Sequence, residues 1–133
     1  MNQRLTAIIE REEDGYVALC PEYDVVSQGA SIEEARQNLR EALELFFECA
    51  SAGELSGAIR ARSTSLRSRL PLGRLATLSG PKVCAILERH GFGEVRRRGS
   101  HIVMQRQDGP TTITAPVPDH KELRIGTLRA IIR

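Results

Sequence analysis

Apolar and polar positions alternate in short runs over the first thirty residues and then fall into a helical repeat. Leu5 to Glu10 alternates loosely, Glu13-Asp14-Gly15 has the composition of a tight turn, and Tyr16 to Cys20 alternates again, which predicts a β-hairpin. Pro21 to Asp24 breaks the pattern, Val25 to Gln28 resumes it, and Gly29 ends it, so a third short strand is expected. Ser31 with Glu34 three residues on is a capping box. Behind it Ile32, Ala35, Leu39, Ala42, Leu43, Phe46 and Phe47 recur every three or four residues, as an amphipathic helix requires. The first half therefore reads β-β-β-α.

From Ser51 to Arg74 the composition shifts to Ser, Gly, Ala and Arg with little periodicity, and Pro71 and Gly73 lie near the end. This stretch is expected to be a linker. Ser79 and Pro81 then open a second helix with Val83, Ile86 and Leu87 inward, and Gly91 stops it after His90. Glu94 to Arg98, His101 to Arg106 and Thr111 to Ala115 follow as three strands, divided by Gly99 and by Asp108-Gly109-Pro110, and Gly126 to Ile132 closes as a short helix with Leu128, Ile131 and Ile132 inward. The second half reads α-β-β-β-α, the order of a double-stranded-RNA-binding-domain-like fold. The class is α+β, in two small domains at residues 1–50 and 75–133 joined by a linker at 51–74.

Charge supports the division. Residues 1–60 hold five Arg and no Lys against twelve Asp or Glu, and residues 61–133 hold fourteen basic against five acidic side chains. The net charge of +2 thus conceals an acidic half and a basic one, which suits a polyanion partner for the second and a competing surface on the first. Cys20, Cys49 and Cys84 are far apart and show no zinc spacing, so a reducing, cytoplasmic setting with each thiol as a small buried hydrophobe is expected. No run approaches the roughly 20 apolar residues of a membrane helix, and the start lacks a signal peptide's apolar centre. No membrane role is expected. With no Trp and only 4% aromatic residues, each core is thin, and the halves are expected to support one another or a second chain.

The segment DGYVALCPEYDVVSQGASIEEARQNLREALELF resembles the HicB antitoxin family. The resemblance implies a partial RNase-H-like domain that covers a toxin and has no catalytic carboxylates of its own. The segments LSGPKVCAILERHGF, RRRGSHIVMQR and VPDHKELRIGTLRAII resemble the HicA toxin family, whose members are small ribosome-independent mRNA endonucleases. By that resemblance the histidine of the GSH motif, His101, is the catalytic residue.

Histidine suits metal-free RNA cleavage. Near neutrality it can take the proton of a ribose 2′-hydroxyl or return one to a leaving group, an effect worth roughly 10²–10⁴-fold. The charge gathering on phosphate needs donors, and Arg96, Arg97, Arg98, Ser100, Arg106 and Lys82 are the candidate RNA contacts. In a strand Arg96 and Arg98 share one face and Arg97 takes the other. His120 is a second candidate, as acid, base or phosphate contact, whereas His90 sits where a helix C-terminus favours partial positive charge. The basic half has no Gly-rich phosphate loop, HExxH motif or carboxylate cluster, so neither a metal nor any other cofactor is expected.

These readings combine into a toxin–antitoxin fusion, with mRNA as the toxin half's partner and the acidic half as its inhibitor. The alternative is a non-catalytic RNA-binding or interaction module of the same fold. A flexible linker of this length spans about 25 to 30 Å and places its ends at millimolar effective concentration. A homo-oligomer is expected, with the contact between halves open to lie within one chain or across to a neighbour. Release by proteolysis between Ala61 and Arg74 is expected.

Overall fold

The computed structural model describes residues 4–56 and 78–131. Two three-stranded antiparallel sheets and four helices make up this part of the chain. The first sheet has the order β1 (Ile8–Glu12), β2 (Gly15–Cys20), β3 (Val25–Gly29), and the second has β4 (Gly93–Arg98), β5 (His101–Asp108), β6 (Thr111–Pro118). The helices are α1 (Ile32–Cys49), α2 (residues 52–56), α3 (Gly80–Glu88) and α4 (Ile125–Ile131). Most of the linker, the proposed cleavage segment and Ile132 lie outside the described residues.

The local signals account for the elements. Ser31 Oγ accepts the Glu34 backbone N–H at 3.1 Å and Ser79 Oγ accepts that of Lys82 at 3.2 Å, so both long helices begin on their serine caps. One core joins Ala18, Cys20, Tyr23 and Val25 to Ala35, Leu39, Ala42 and Phe46 of α1. A second joins Val83, Cys84 and Leu87 of α3 to Ile102, Met104, Val117, Leu123 and Leu128. Each sheet thus has its own helix-covered core.

Three details differ from expectation. β6 continues to Pro118, with Pro116 opposite Val103 and Pro118 opposite His101. The expected strand ends at Ala115, but β6 is a sheet edge, where a proline's missing N–H need not break the ladder. Ile32, expected inward, is 45% exposed, while Leu45, outside the expected stripe, is fully buried. The reason lies in the second half of the molecule. Helix α1 packs on its own sheet and also against β5 and β6, and all five residues of β3 are buried where the strand meets α1, β6 and α4.

A polar clasp reinforces this junction. Ser51 donates its N–H to Thr112 Oγ1 at 3.1 Å. The buried Glu54 carboxylate of α2 accepts the Thr112 hydroxyl at 2.8 Å, and the Thr114 N–H and hydroxyl at 2.6 and 2.7 Å. The start of the expected linker is therefore docked on β6.

Candidate active site at the junction of the halves

Gly99 and Ser100 form the turn from β4 into β5. Gly99 has φ of +59°, a conformation that glycine adopts without a Cβ penalty, and a Cβ at this position would meet the carboxylate of Glu41 from α1. Glu41 Oε1 accepts three hydrogen bonds here. They come from the Ser100 backbone N–H at 3.1 Å, the Ser100 hydroxyl at 3.1 Å and His101 Nδ1 at 2.6 Å. Across the ring, His101 Nε2 lies 2.9 Å from Ser27 Oγ on β3. The imidazole is 0% exposed.

An ionised carboxylate only accepts, so Nδ1 carries the proton. Burial pushes the His101 pKa below its ordinary value and outweighs the upward pull of Glu41. The ring is then neutral at pH 7, Nε2 is bare, and the Ser27 hydroxyl donates to it. For Glu41 burial acts upward, but the hydrogen bonds from His101 and Ser100 together prevail and hold its carboxyl below the usual range. The pair is a charged Glu41 bonded to a neutral His101.

His120 is held by the next residue of β3. Gln28 Nε2 donates to His120 Nδ1 and to the Glu122 carbonyl, both at 3.0 Å, while its Oε1 accepts the Arg124 N–H at 2.8 Å and the Thr127 hydroxyl at 2.9 Å. These four bonds fix the amide orientation, so His120 Nδ1 is an acceptor. Ser27 and Gln28, neighbours in β3, thus each engage one candidate histidine.

The arginines alternate as strand geometry requires. Arg96 and Arg98 both pair with Glu48 of α1, the Arg98 bond measuring 3.0 Å. Arg97 faces away, to Glu94 at 3.1 Å and Asp119 at 3.5 Å within its own half. Lys82 is exposed on the first turn of α3, a helix whose Gly80 N–H donates to the His120 carbonyl at 2.9 Å. Arg106 is not part of this group. It donates to the His90 carbonyl at 3.1 Å and lies over the Phe92 ring, 5.0 Å from its centroid.

Sequence reasoning missed Ser27, Gln28, Glu41 and Glu48. The available signal was the spacing of Glu41, Leu45 and Glu48, which at i, i+4 and i+7 share one face of α1. Among the described residues no cluster of three or more His, Cys, Asp or Glu is placed to hold a metal. Burial raises the Cys20 and Cys84 thiols to about 11, so neither supplies a thiolate near neutrality. No described helix is long and apolar enough to cross a membrane.

Residues 80–133 match the family model of the HicA toxin of bacterial toxin-antitoxin. A UPF0150 protein of Helicobacter pylori (strain J99) is 45% identical over 53 residues, covering 39% of this chain and 74% of that protein. A UPF0150 protein of Synechocystis sp. is 48% identical over 50 residues, covering 36% and 69%. No solved structure matches.

Proposed function

Since the chain belongs to the family of the UPF0150 proteins and carries a HicA toxin domain at residues 80–133, we propose that it is a toxin and its antitoxin in one polypeptide. In this reading the second half, a double-stranded-RNA-binding-domain-like fold, is a metal-independent mRNA endoribonuclease with His101 as catalytic residue. The first half is a HicB-like, partial RNase-H-like antitoxin that covers it. Both work in the cytoplasm.

The observation that carries the proposal is the burial of His101 between Glu41 and Ser27, both contributed by the other half. A base must reach the proton that it abstracts. In the closed chain both ring nitrogens are occupied and the ring has no solvent access, so RNA is excluded until α1 and β3 withdraw. Once they do, Nε2 is free to take the 2′-hydroxyl proton. The resulting oxygen attacks the adjacent phosphorus as the bond to the 5′-oxygen breaks, and a protonated group returns a proton to that oxygen. In this reading His120, uncovered by the loss of Gln28, serves as that group. Arg96 and Arg98, released from Glu48, are then available to phosphate oxygens.

The test uses the full chain, its Glu41→Ala/Glu48→Ala variant, and that variant with His101→Ala, each incubated with labelled single-stranded RNA and no added metal. The loosened chain should cut RNA at least tenfold faster than the parent, and His101→Ala should remove the gain. One feature favours the alternative of a non-catalytic RNA-binding module: His101 is bonded on both nitrogens like a structural core histidine. Binding of RNA by the loosened chain with no cutting would support that reading.

A further inference from the structure

We infer that the Gly99–His101 turn is an anion subsite for a phosphate of the RNA strand, filled in the closed chain by the Glu41 carboxylate as an internal stand-in. The inference takes its ligand's identity from the ribonuclease reading, whereas the site itself rests on geometry. Three donors of different kinds, a backbone N–H, a hydroxyl and a ring N–H, converge on a single oxygen. They are held by a turn whose left-handed glycine leaves room for that oxygen's parent group. A phosphate oxygen accepts the same donors as a carboxylate oxygen, and turns that aim N–H groups inward are anion-binding concavities.

Glu48 extends the argument. It lies seven residues beyond Glu41, about 10 Å along the same face of α1, and takes two of the three guanidiniums of the strand that leads into the turn, Arg96 and Arg98. Helix α1 therefore presents two anionic groups in line to β4 and its turn, as a nucleic-acid backbone would. The imidazole sets the register. Nδ1 and Nε2 point to opposite sides of the ring, so a phosphate gripped at Nδ1 is a neighbour of the one attacked. The reacting nucleotide lies on the Nε2 side, where the Ser27 hydroxyl occupies the position required of a 2′-hydroxyl. Antitoxin half and substrate compete for the same donors, and the two cannot be bound at once.

The test uses the full chain with Glu41→Ala, titrated with inorganic phosphate and read by NMR at the Ser100 amide and the His101 ring. Glu41's side chain is 31% exposed, so the vacated position opens to solvent. The Ser100 amide should shift saturably with phosphate but not with chloride at equal ionic strength. In the parent chain the response should be at least tenfold weaker, and Ser100→Ala added to Glu41→Ala should weaken phosphate binding about tenfold. Glu41→Ser, which also vacates the position but keeps a small polar side chain on α1, serves if Glu41→Ala does not fold. An all-deoxy oligonucleotide, which lacks the attacking hydroxyl, should move the same amide. Folded variants in which neither probe moves Ser100 would overturn the subsite. Phosphate binding at Ser100 in a loosened chain that never cuts RNA would leave the subsite standing and overturn the ribonuclease reading; cutting without a response at Ser100 would do the reverse.

Discussion

The two ends of strand β5 are treated differently by the rest of the molecule. His101, at one end, is bonded on both ring nitrogens by side chains of the first half. Arg106, five residues and about 17 Å along the strand, is bonded to His90 and stacked on Phe92 within its own half. The sequence makes both candidates for RNA chemistry. The contacts separate the two side chains: the first half takes both nitrogens of the His101 imidazole, whereas the Arg106 guanidinium is held by its own half, even though its neighbour Gln105 donates to the Cys49 carbonyl at 2.7 Å. The sharpest way to break this comparison is kinetic. In the Glu41→Ala/Glu48→Ala chain, His101→Ala should lower RNA cleavage by roughly 10²–10⁴-fold, the usual worth of a positioned acid or base. Arg106→Ala should leave the rate essentially unchanged, and equal losses at the two residues would erase the distinction.

Stability should separate the same two ends by a smaller margin. Glu41→Ala removes the charged acceptor of the His101 and Ser100 hydrogen bonds, at a cost of about 1.5–3 kcal/mol, readable as a lower denaturant midpoint. Arg106→Ala removes a surface cation–π contact worth about 0.5–1 kcal/mol. If Arg106→Ala proves the more damaging, β5 is anchored at its Arg106 end instead.

Acid should loosen the His101 end alone. The unfolded chain takes a proton on this imidazole near the ordinary value of 6.5, whereas the folded chain resists until a lower pH because burial depresses the pKa. Between those two values the unfolded state binds more protons, so this contribution is complete above about pH 6.5 and drains away as pH falls toward the folded value. Glu41 is also depressed in the folded chain. Its contribution is complete above the ordinary carboxyl value of 4.5 and is lost as pH falls through the lower folded value. Unfolding midpoints measured from pH 8 to pH 3 should fall in two stages, and Arg106→Ala should retain both. A parent profile flat from pH 7 to 5 would contradict the buried neutral ring.

The sequence exposed the parts of this site that depend on local signals. Serine caps, turn glycines and alternation locate the strands and helices to within a few residues, and strand alternation correctly sends Arg97 away from Arg96 and Arg98. The GSH motif singles out His101. Its partners are hidden because their role is non-local: Glu41 and Glu48 on an amphipathic helix look like an ordinary solvated face, and Ser27 and Gln28 look like polar filler in a short strand. Leu45 between the two glutamates was the one apolar mark on that face. It fell outside the stripe because α1 packs on two sides, and a single-stripe reading accommodates only one. Arg106 lies apart from this site because a strand separates its two ends by its whole length.

The smallest expected effect concerns Glu48, and it distinguishes a surface latch from a buried one. Its pairs with Arg96 and Arg98 lie at the surface, with side-chain exposures of 38%, 46% and 49%, where ion pairs are weak and screened by salt. The guanidiniums, Arg98 foremost, nevertheless hold its carboxyl below the usual range, so it is charged at any pH at which RNA would compete. Glu48→Gln should leave the unfolding midpoint nearly unchanged and raise residual RNA cleavage by the full chain only slightly. The parent should approach that level as salt rises from 50 to 500 mM, once nonspecific weakening of RNA binding is corrected with the Glu41→Ala/Glu48→Ala chain. Glu41→Gln should instead raise cleavage at every salt concentration, because Glu41 bonds to neutral donors, Ser100 and the neutral His101 ring, and such bonds are little screened by salt. If the two variants respond alike to salt, both carboxylates act as surface charges, and the buried Glu41 contact is not what keeps the chain closed.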